Sequence, residues 1–257
     1  MTAAPSTLRD GVRLAVGTLT VVRVPPPSRT DRDVARTAML LAPAVAVVPA
    51  GAAAVAAWAA DAVGLAALVV AAVAVAACAL TSRGLHLDGL ADTADGLASS
   101  YDRSQALAVM RRGDLGPAGG VTLVLVVLGQ VACLAQVAAA PAGPSVLAAL
   151  VVAVVAGRAT LPLLCMRGVP SARPGGLGAT VIGSVPRTAA TAALALTCGA
   201  LALLAGWAAV AAVLAAAASA AVLAWRCVVR LGGLTGDVLG AGVEIGCLVA
   251  LLVLAAW

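Results

Sequence analysis

GGVTLVLVVLGQVACLAQVAAA, Gly119–Ala140, carries no charged side chain over its whole length. A run of that kind, about 20 residues long, matches the apolar thickness of a bilayer when wound as a helix, and few soluble proteins contain one. Working outward, comparable runs occur at 38–60, 62–81, 146–166, 188–205, 207–225 and 242–257. The chain therefore reads as an all-α polytopic membrane bundle of about seven transmembrane helices. It forms one transmembrane domain over residues 1–257. Of its residues, 63% are hydrophobic, only 11% are charged, and mean hydropathy is +1.09. Ala and Val dominate and there is no Phe, so individual spans are less lipophilic than Leu-rich ones. The six cysteines lie in or beside apolar runs without a CxxC pair, which reads as buried free thiols.

The basic residues orient the chain. All 16 are Arg. Six precede the first span, and four (Arg83, Arg103, Arg111, Arg112) lie between the second and third. Arg158, Arg167, Arg173 and Arg187 lie near or between the fourth and fifth, and Arg226 and Arg230 between the sixth and seventh. The other connections, near Asp61, Pro141–Pro144 and Gly206, have none. The positive-inside rule then predicts a cytoplasmic N-terminus and an outer C-terminus. Only Asp61 among the acids falls on the outer side. Residues 1–36 are expected to be cytoplasmic or interfacial, with Gly11–Val24 an interfacial or re-entrant helix. Segments 83–118, 167–187 and 226–241 are expected as cytoplasmic loops that build one site.

Acid is concentrated in LHLDGLADTADGL, Leu85–Leu97. Asp88, Asp92 and Asp95 are spaced i, i+4, i+7, one face of a helix. Three carboxylates together repel unless a cation sits among them, and oxygen donors suit Mg2+. A bland reading, a solvated acidic face, is disfavoured because no basic residue falls between Leu85 and Ser100. His86, the one histidine, is a candidate general base, phosphate contact or partner of a metal ligand. RRGDLGPAGG, Arg111–Gly120, puts Arg111 and Arg112 in a glycine-rich stretch before a span, a combination suited to phosphate. RLGGLTGDVLGAGVE, Arg230–Glu244, offers Arg230, Gly236, Asp237 and Glu244. The last is an acid inside a span and so a functional candidate. Arg158, also at membrane depth, calls for an anion. Arg173, in SARPGGLG, reads similarly with less force.

These segments together resemble the cobalamin synthase (adenosylcobinamide-GDP ribazoletransferase) family. The resemblance rests on RGLHLDGLADTADGL at 83–97, MRRGDLGPAGG at 110–120 and RLGGLTGDVLGA at 230–241, with a weaker echo in LTVVRVPPP at 19–27. The central motif departs from the family form, which often has an acid and a Ser where Arg112 and Gly113 stand. No metal role is therefore carried to Asp114. The resemblance implies a bacterial inner-membrane enzyme requiring Mg2+, with its active site facing the cytoplasm. It would join adenosylcobinamide-GDP to alpha-ribazole, or its 5'-phosphate, with release of GMP.

Its partners would be those two substrates and the lipid bilayer, with no nucleic acid and room for a homo-oligomer. Asp88, Asp92 and Asp95 are expected to bind one Mg2+, and Asp237 with Glu244 a second. Arg83, Arg111, Arg112, Arg158, Arg230 and Gly236 are expected at the substrate, and His86 or Asp95 as proton acceptor. Three rivals compete. A CDP-alcohol phosphatidyltransferase needs an Ala-Arg pair after the first Asp-Gly, where this chain has Leu90 and Ala91. A membrane prenyltransferase usually has many aromatics. A divalent-cation transporter would place acids near the middle of several spans.

Overall fold

The computed structural model describes residues 5–139 and 145–257. The elements are α1 (Pro5–Leu19), α2 (Arg32–Val45), α3 (Val47–Ala62), α4 (Ala67–Thr81), α5 (Leu85–Ser99), α6 (Arg103–Val109), α7 (Pro117–Ala139), α8 (Val146–Leu164), α9 (Gly176–Val181), α10 (Arg187–Leu231) and α11 (Gly236–Ala255). Among the described residues there is no strand, only two isolated bridges. Helix starts follow local chemistry. Asp31, Asp102, Ser145 and Thr235 each accept a hydrogen bond from an amide in the first turn of α2, α6, α8 and α11, satisfying donors that a helix cannot pair internally.

Five helical segments are long and apolar enough to cross a bilayer: Arg32–Ala62 (α2 with α3), α7, α8, α10 and α11. A sixth arises only if α4 and α5, bent by 90° to each other, are taken as a pair. The 45 residues of α10 would make a straight rod of about 68 Å, some twice a bilayer core. Its ends show that it is not straight. Val185 bridges to Met166 and Leu234 to Ser171, so both ends meet one short segment. The reversal falls at Ala205 and Gly206, the two non-helical residues inside α10, with Gly206 at φ 60°, ψ −148°. The hairpin recovers the separate segments 188–205 and 207–225 expected from sequence.

Other expectations are corrected. Segment 83–118 is mostly α5 and α6, and 226–241 is the end of α10 and the start of α11. The acid-bearing stretches between spans are thus largely helical. Only 167–187 is largely irregular. The run 38–60 divides at Ala46 into α2 and α3, between Pro43 and Pro49. Residues 11–24 begin as helix, within α1, and leave it before Pro25–Pro27. Gly11 of α1 lies so close to α2 that a Cβ there would stand 2.5 Å from Thr37 Cγ2.

With aromatics scarce, small residues carry the packing, as between helices in a membrane. A Cβ on Gly157 of α8 would stand 2.6 Å from the Val243 carbonyl oxygen of α11, and one on Gly246 would stand 3.1 Å from Thr160 Cγ2. On its other side α11 meets α5 (below). Helix α11 is therefore the central element, with Val238–Glu244 buried in sequence. Large apolar side chains face outward, among them Leu203 (92% exposed) and Trp207 (80%) beside the α10 reversal. That arrangement suits lipid contact with Trp near an interface.

Candidate active site

The site begins where α4 turns into α5. Arg83 (φ 57°) and Gly84 (φ 65°) are consecutive left-handed residues, and they redirect the chain by 90°. Helix α5 then runs against the first turns of α11. Gly89 is the contact point: a Cβ there would lie 2.6 Å from the Asp237 carbonyl oxygen and 3.0 Å from its Cα. Gly240 repeats this one turn further on, where a Cβ would lie 3.1 Å from His86 Cα. This backbone-to-backbone approach brings Asp88 and Asp92 of α5 beside Asp237 of α11. Arg173, from the 165–175 segment, completes the group. Its Nη1 donates to Asp237 Oδ2 at 3.1 Å, as does Thr235 Oγ1, also at 3.1 Å. A cavity of about 190 Å³ opens here, lined by His86, Asp88, Gly89, Gly178, Gly236 and Asp237, with Thr18, Leu19 and Met39 closing it from α1 and α2.

The electrostatics follow from that crowding. Burial pushes the Asp92 carboxyl up to about 6, and the neighbouring Asp237 and Asp88 carboxylates add to it against Arg173. Asp237 has an ion pair with Arg173 at 3.1 Å, whereas no ion pair to Asp88 or Asp92 occurs among the described residues. Two carboxylates without counter-ions beside a third suit a hard cation. Among the described residues, however, no three His, Cys, Asp or Glu side chains are close enough to enclose an ion by themselves.

Several expected residues lie elsewhere. Asp95 does share the face of α5, but its carboxylate is spent on α7: Oδ2 accepts from Gly116 N and Oδ1 from Gly119 N, both at 2.8 Å. It caps a helix start, so both oxygens expected to serve a metal or a proton are already engaged by amides. Glu244 shares a face with Asp237 but sits seven residues, about 10 Å, along α11. It accepts from Gln130 Nε2 at 2.9 Å within the bundle, so the expected Asp237–Glu244 metal pair is not formed. Arg83 donates to the carbonyls of Gly17 and Thr18 at the end of α1. Arg230 donates to those of Leu97 and Ser100 at the end of α5, with its guanidinium 4.2 Å from the Tyr101 ring centre. Both therefore brace helix ends. Arg112 borders a different, open cavity with Asp95, Ser99 and Asp114, and Arg111 is exposed. Arg158 is fully buried beneath the site, its Nη2 3.4 Å from His86 Nδ1 and 3.9 Å from Cys78 Sγ. Gly236 lines the cavity as expected.

Arg173 is the member of this group that the sequence marks least. Its position in a glycine-rich loop was visible, but its partner Asp237 is 64 residues away. Gly178 was not singled out at all. A Cβ there would lie 2.9 Å from Gly236 N, so α9 can approach the start of α11 only because this residue is glycine.

The fold and site define a class: a multi-pass, all-α membrane protein with an acidic, arginine-flanked site between helix ends. The model of the family described as cobalamin-5-phosphate synthase matches residues 11–255. The chain is also similar to adenosylcobinamide-GDP ribazoletransferases. It is 46% identical to that of a Nocardioides species over 97% of this chain and all of the relative, and 39% identical to that of Frankia casuarinae over 95% and 93%. It is 40% identical to that of Escherichia coli K12 over 68% and 70%. No solved structure matches. The chain belongs to the cobalamin-5-phosphate synthase family and is a transferase of cobalamin biosynthesis.

Proposed function

We propose that this transferase joins adenosylcobinamide-GDP to alpha-ribazole, or its 5'-phosphate, and releases GMP, with Mg2+ held by Asp88, Asp92 and Asp237. The observation that carries this reading is the meeting of α5 and α11 at Gly89, which sets Asp92 and Arg173 beside Asp88 and Asp237, the two carboxylates that line the cavity. The donor set fits the ion. Mg2+ prefers oxygen ligands, keeps several waters, and is usually held by one or two carboxylates plus substrate phosphates. A group that does not enclose an ion by itself is therefore what a diphosphate substrate would complete. Bound there, Mg2+ would neutralise diphosphate charge, the main need of phosphoryl-type transfer.

The chain's own residues do the rest. Arg173 can shift a guanidinium N–H from Asp237 to a phosphate oxygen, since Arg matches such oxygens in forked geometry. Gly236, with nothing within 4 Å of a would-be Cβ, leaves space for the diphosphate at the amide-rich start of α11, against which Gly178 packs α9. Asp95 holds α7 against α5 and so fixes the far end of the acidic helix. Seven crossings follow if each half of α10 and α4 cross with the other segments. The arginine distribution supports a site on the cytoplasmic side of the bilayer, which in this reading is the inner membrane. The family assignment favours neither the phosphatidyltransferase nor the transporter reading.

The test is GMP release from membranes supplied with adenosylcobinamide-GDP, alpha-ribazole and Mg2+. Release is expected, with loss on EDTA addition and in the inserted, folded Asp92→Asn variant. Full release in EDTA, or from Asp92→Asn, would remove the metal assignment.

A further inference from the structure

Beneath the acidic cavity lies a polar group that the proposed metal chemistry does not use. His86 is 2% exposed and lines that cavity. Arg158 is 1% exposed, and no ion pair joins it to an acid among the described residues. The nearby Glu244 is bonded instead to Gln130. Among the described residues the guanidinium's side-chain partners are His86 Nδ1, 3.4 Å from Arg158 Nη2, and Cys78 Sγ at 3.9 Å. A guanidinium has only donors, so Nδ1 must present its lone pair. The ring hydrogen then belongs on Nε2. That Nε2 is buried and has no partner, and neither has Arg158 Nε. A buried donor without an acceptor is costly, and few such groups persist without a use. The backbone supports the ring's placement: Gly240 lets α11 press on His86, where any Cβ would lie 3.1 Å from its Cα.

We infer that Arg158 is a positioning residue that locks His86 in the Nε2–H form, and that His86 donates this hydrogen bond to a phosphate or ribose oxygen of the nucleotide-linked substrate in the cavity. This inference rests on the proposed ribazole transfer for its ligand, but the ring tautomer is independent of it. It replaces the role of proton acceptor expected for His86 with that of a fixed donor, of the kind that stabilises developing negative charge on oxygen. Arg158 reaches no substrate itself.

Because His86 is the only histidine, 15N-histidine labelling reports one ring. The full chain in detergent at pH 7.5 should show a protonated Nε2 and an unprotonated Nδ1. Arg158→Gln should show a tautomer mixture. Adding adenosylcobinamide-GDP without alpha-ribazole should shift the Nε2–H resonance. A ring protonated at Nδ1 in the wild-type protein, which requires no variant to fold, would overturn the inference. An unmoved Nε2–H at saturating substrate would do so too. In the GMP-release assay, His86→Ala should lower kcat/KM about 100-fold, the scale of losing one such donor. His86→Gln, whose amide N–H can replace the donor but cannot take up a proton, should recover to within about tenfold of wild type. Equal loss in both variants, or no loss in either, would contradict the donor role. Absence of GMP release from the wild type, with the Nε2–H tautomer intact, would instead refute the proposed reaction.

Discussion

Gly89→Ala is the sharpest mechanical test of how the site is assembled. In an isolated helix the change would favour folding by up to about 1 kcal/mol. Here the added methyl carbon would start 2.6 Å from the Asp237 carbonyl oxygen, 3.0 Å from its Cα and 3.2 Å from its carbonyl carbon. All three are backbone atoms, so no side chain can swing away. Reaching ordinary contact, about 3.5 Å, requires α5 and α11 to part by about 1 Å. Overpacking of this kind costs about 1–3 kcal/mol, which outweighs the helix-propensity gain. The larger effect is on chemistry. The same displacement separates Asp88 and Asp92 from Asp237, and a misplacement near 1 Å can lower a rate by about 100-fold. Gly199→Ala, in α10 with nothing within 4 Å of its would-be Cβ, is the control and should be neutral or slightly stabilising. The assay is GMP release per folded molecule, with thermal unfolding in detergent alongside. Wild-type turnover and stability in Gly89→Ala would refute the argument that this glycine sets the spacing of the carboxylates.

Three further outcomes follow from the same geometry. Asp95→Ala should lose about 1–3 kcal/mol of stability, because it leaves the Gly116 and Gly119 amides unpaired. Its activity should fall only with the folded fraction, as read by turnover corrected for folded protein. For Asp92 the carboxyl rises from 3.8 to about 6, so between these values the folded protein holds a proton that the unfolded chain has released. Stability is therefore lost as pH rises through that window. In EDTA, Asp92→Asn should melt higher than wild type above pH 6, with the gain vanishing below pH 4, measured by melting temperature against pH. Gly206→Ala at the α10 reversal (φ 60°, ψ −148°) forces a side chain into a region that essentially only glycine occupies. It should cost about 1–3 kcal/mol, read from thermal unfolding, with little change in KM.

The bundle was legible because charge-free runs of spanning length need no tertiary information. The α10 hairpin was legible for the same reason: the run was too long to cross once and broke at Gly206. Asp88, Asp92 and Asp237 were legible as acids at one boundary. Helical periodicity, however, reports shared direction and not proximity. Asp95 lies on the face of Asp88 yet serves two amides at the start of α7, those of Gly116 just before it and Gly119 within it, 21 and 24 residues away, a pairing that only the packed bundle creates. Glu244 lies on the face of Asp237 but about 10 Å further along the axis. The partners of the arginines were hidden for a related reason. Residue type marks Arg83 and Arg230 as phosphate binders, whereas the helix ends beside them offer unpaired carbonyls that engage them first. Arg173 drew less weight because nothing local distinguishes it from other cytoplasmic-side arginines until its loop folds onto α11.

The central claim is that Asp88, Asp92 and Asp237 share one divalent ion at a diphosphate-binding cavity while Asp95 does not. Mn2+ binding, followed by electron paramagnetic resonance with adenosylcobinamide-GDP present, addresses it directly. One ion should bind per chain, weakened at least about tenfold by Asp88→Asn and by Asp237→Asn and left near wild-type affinity by Asp95→Asn. Equal weakening by Asp95→Asn, or unchanged binding in Asp237→Asn, would contradict the claim.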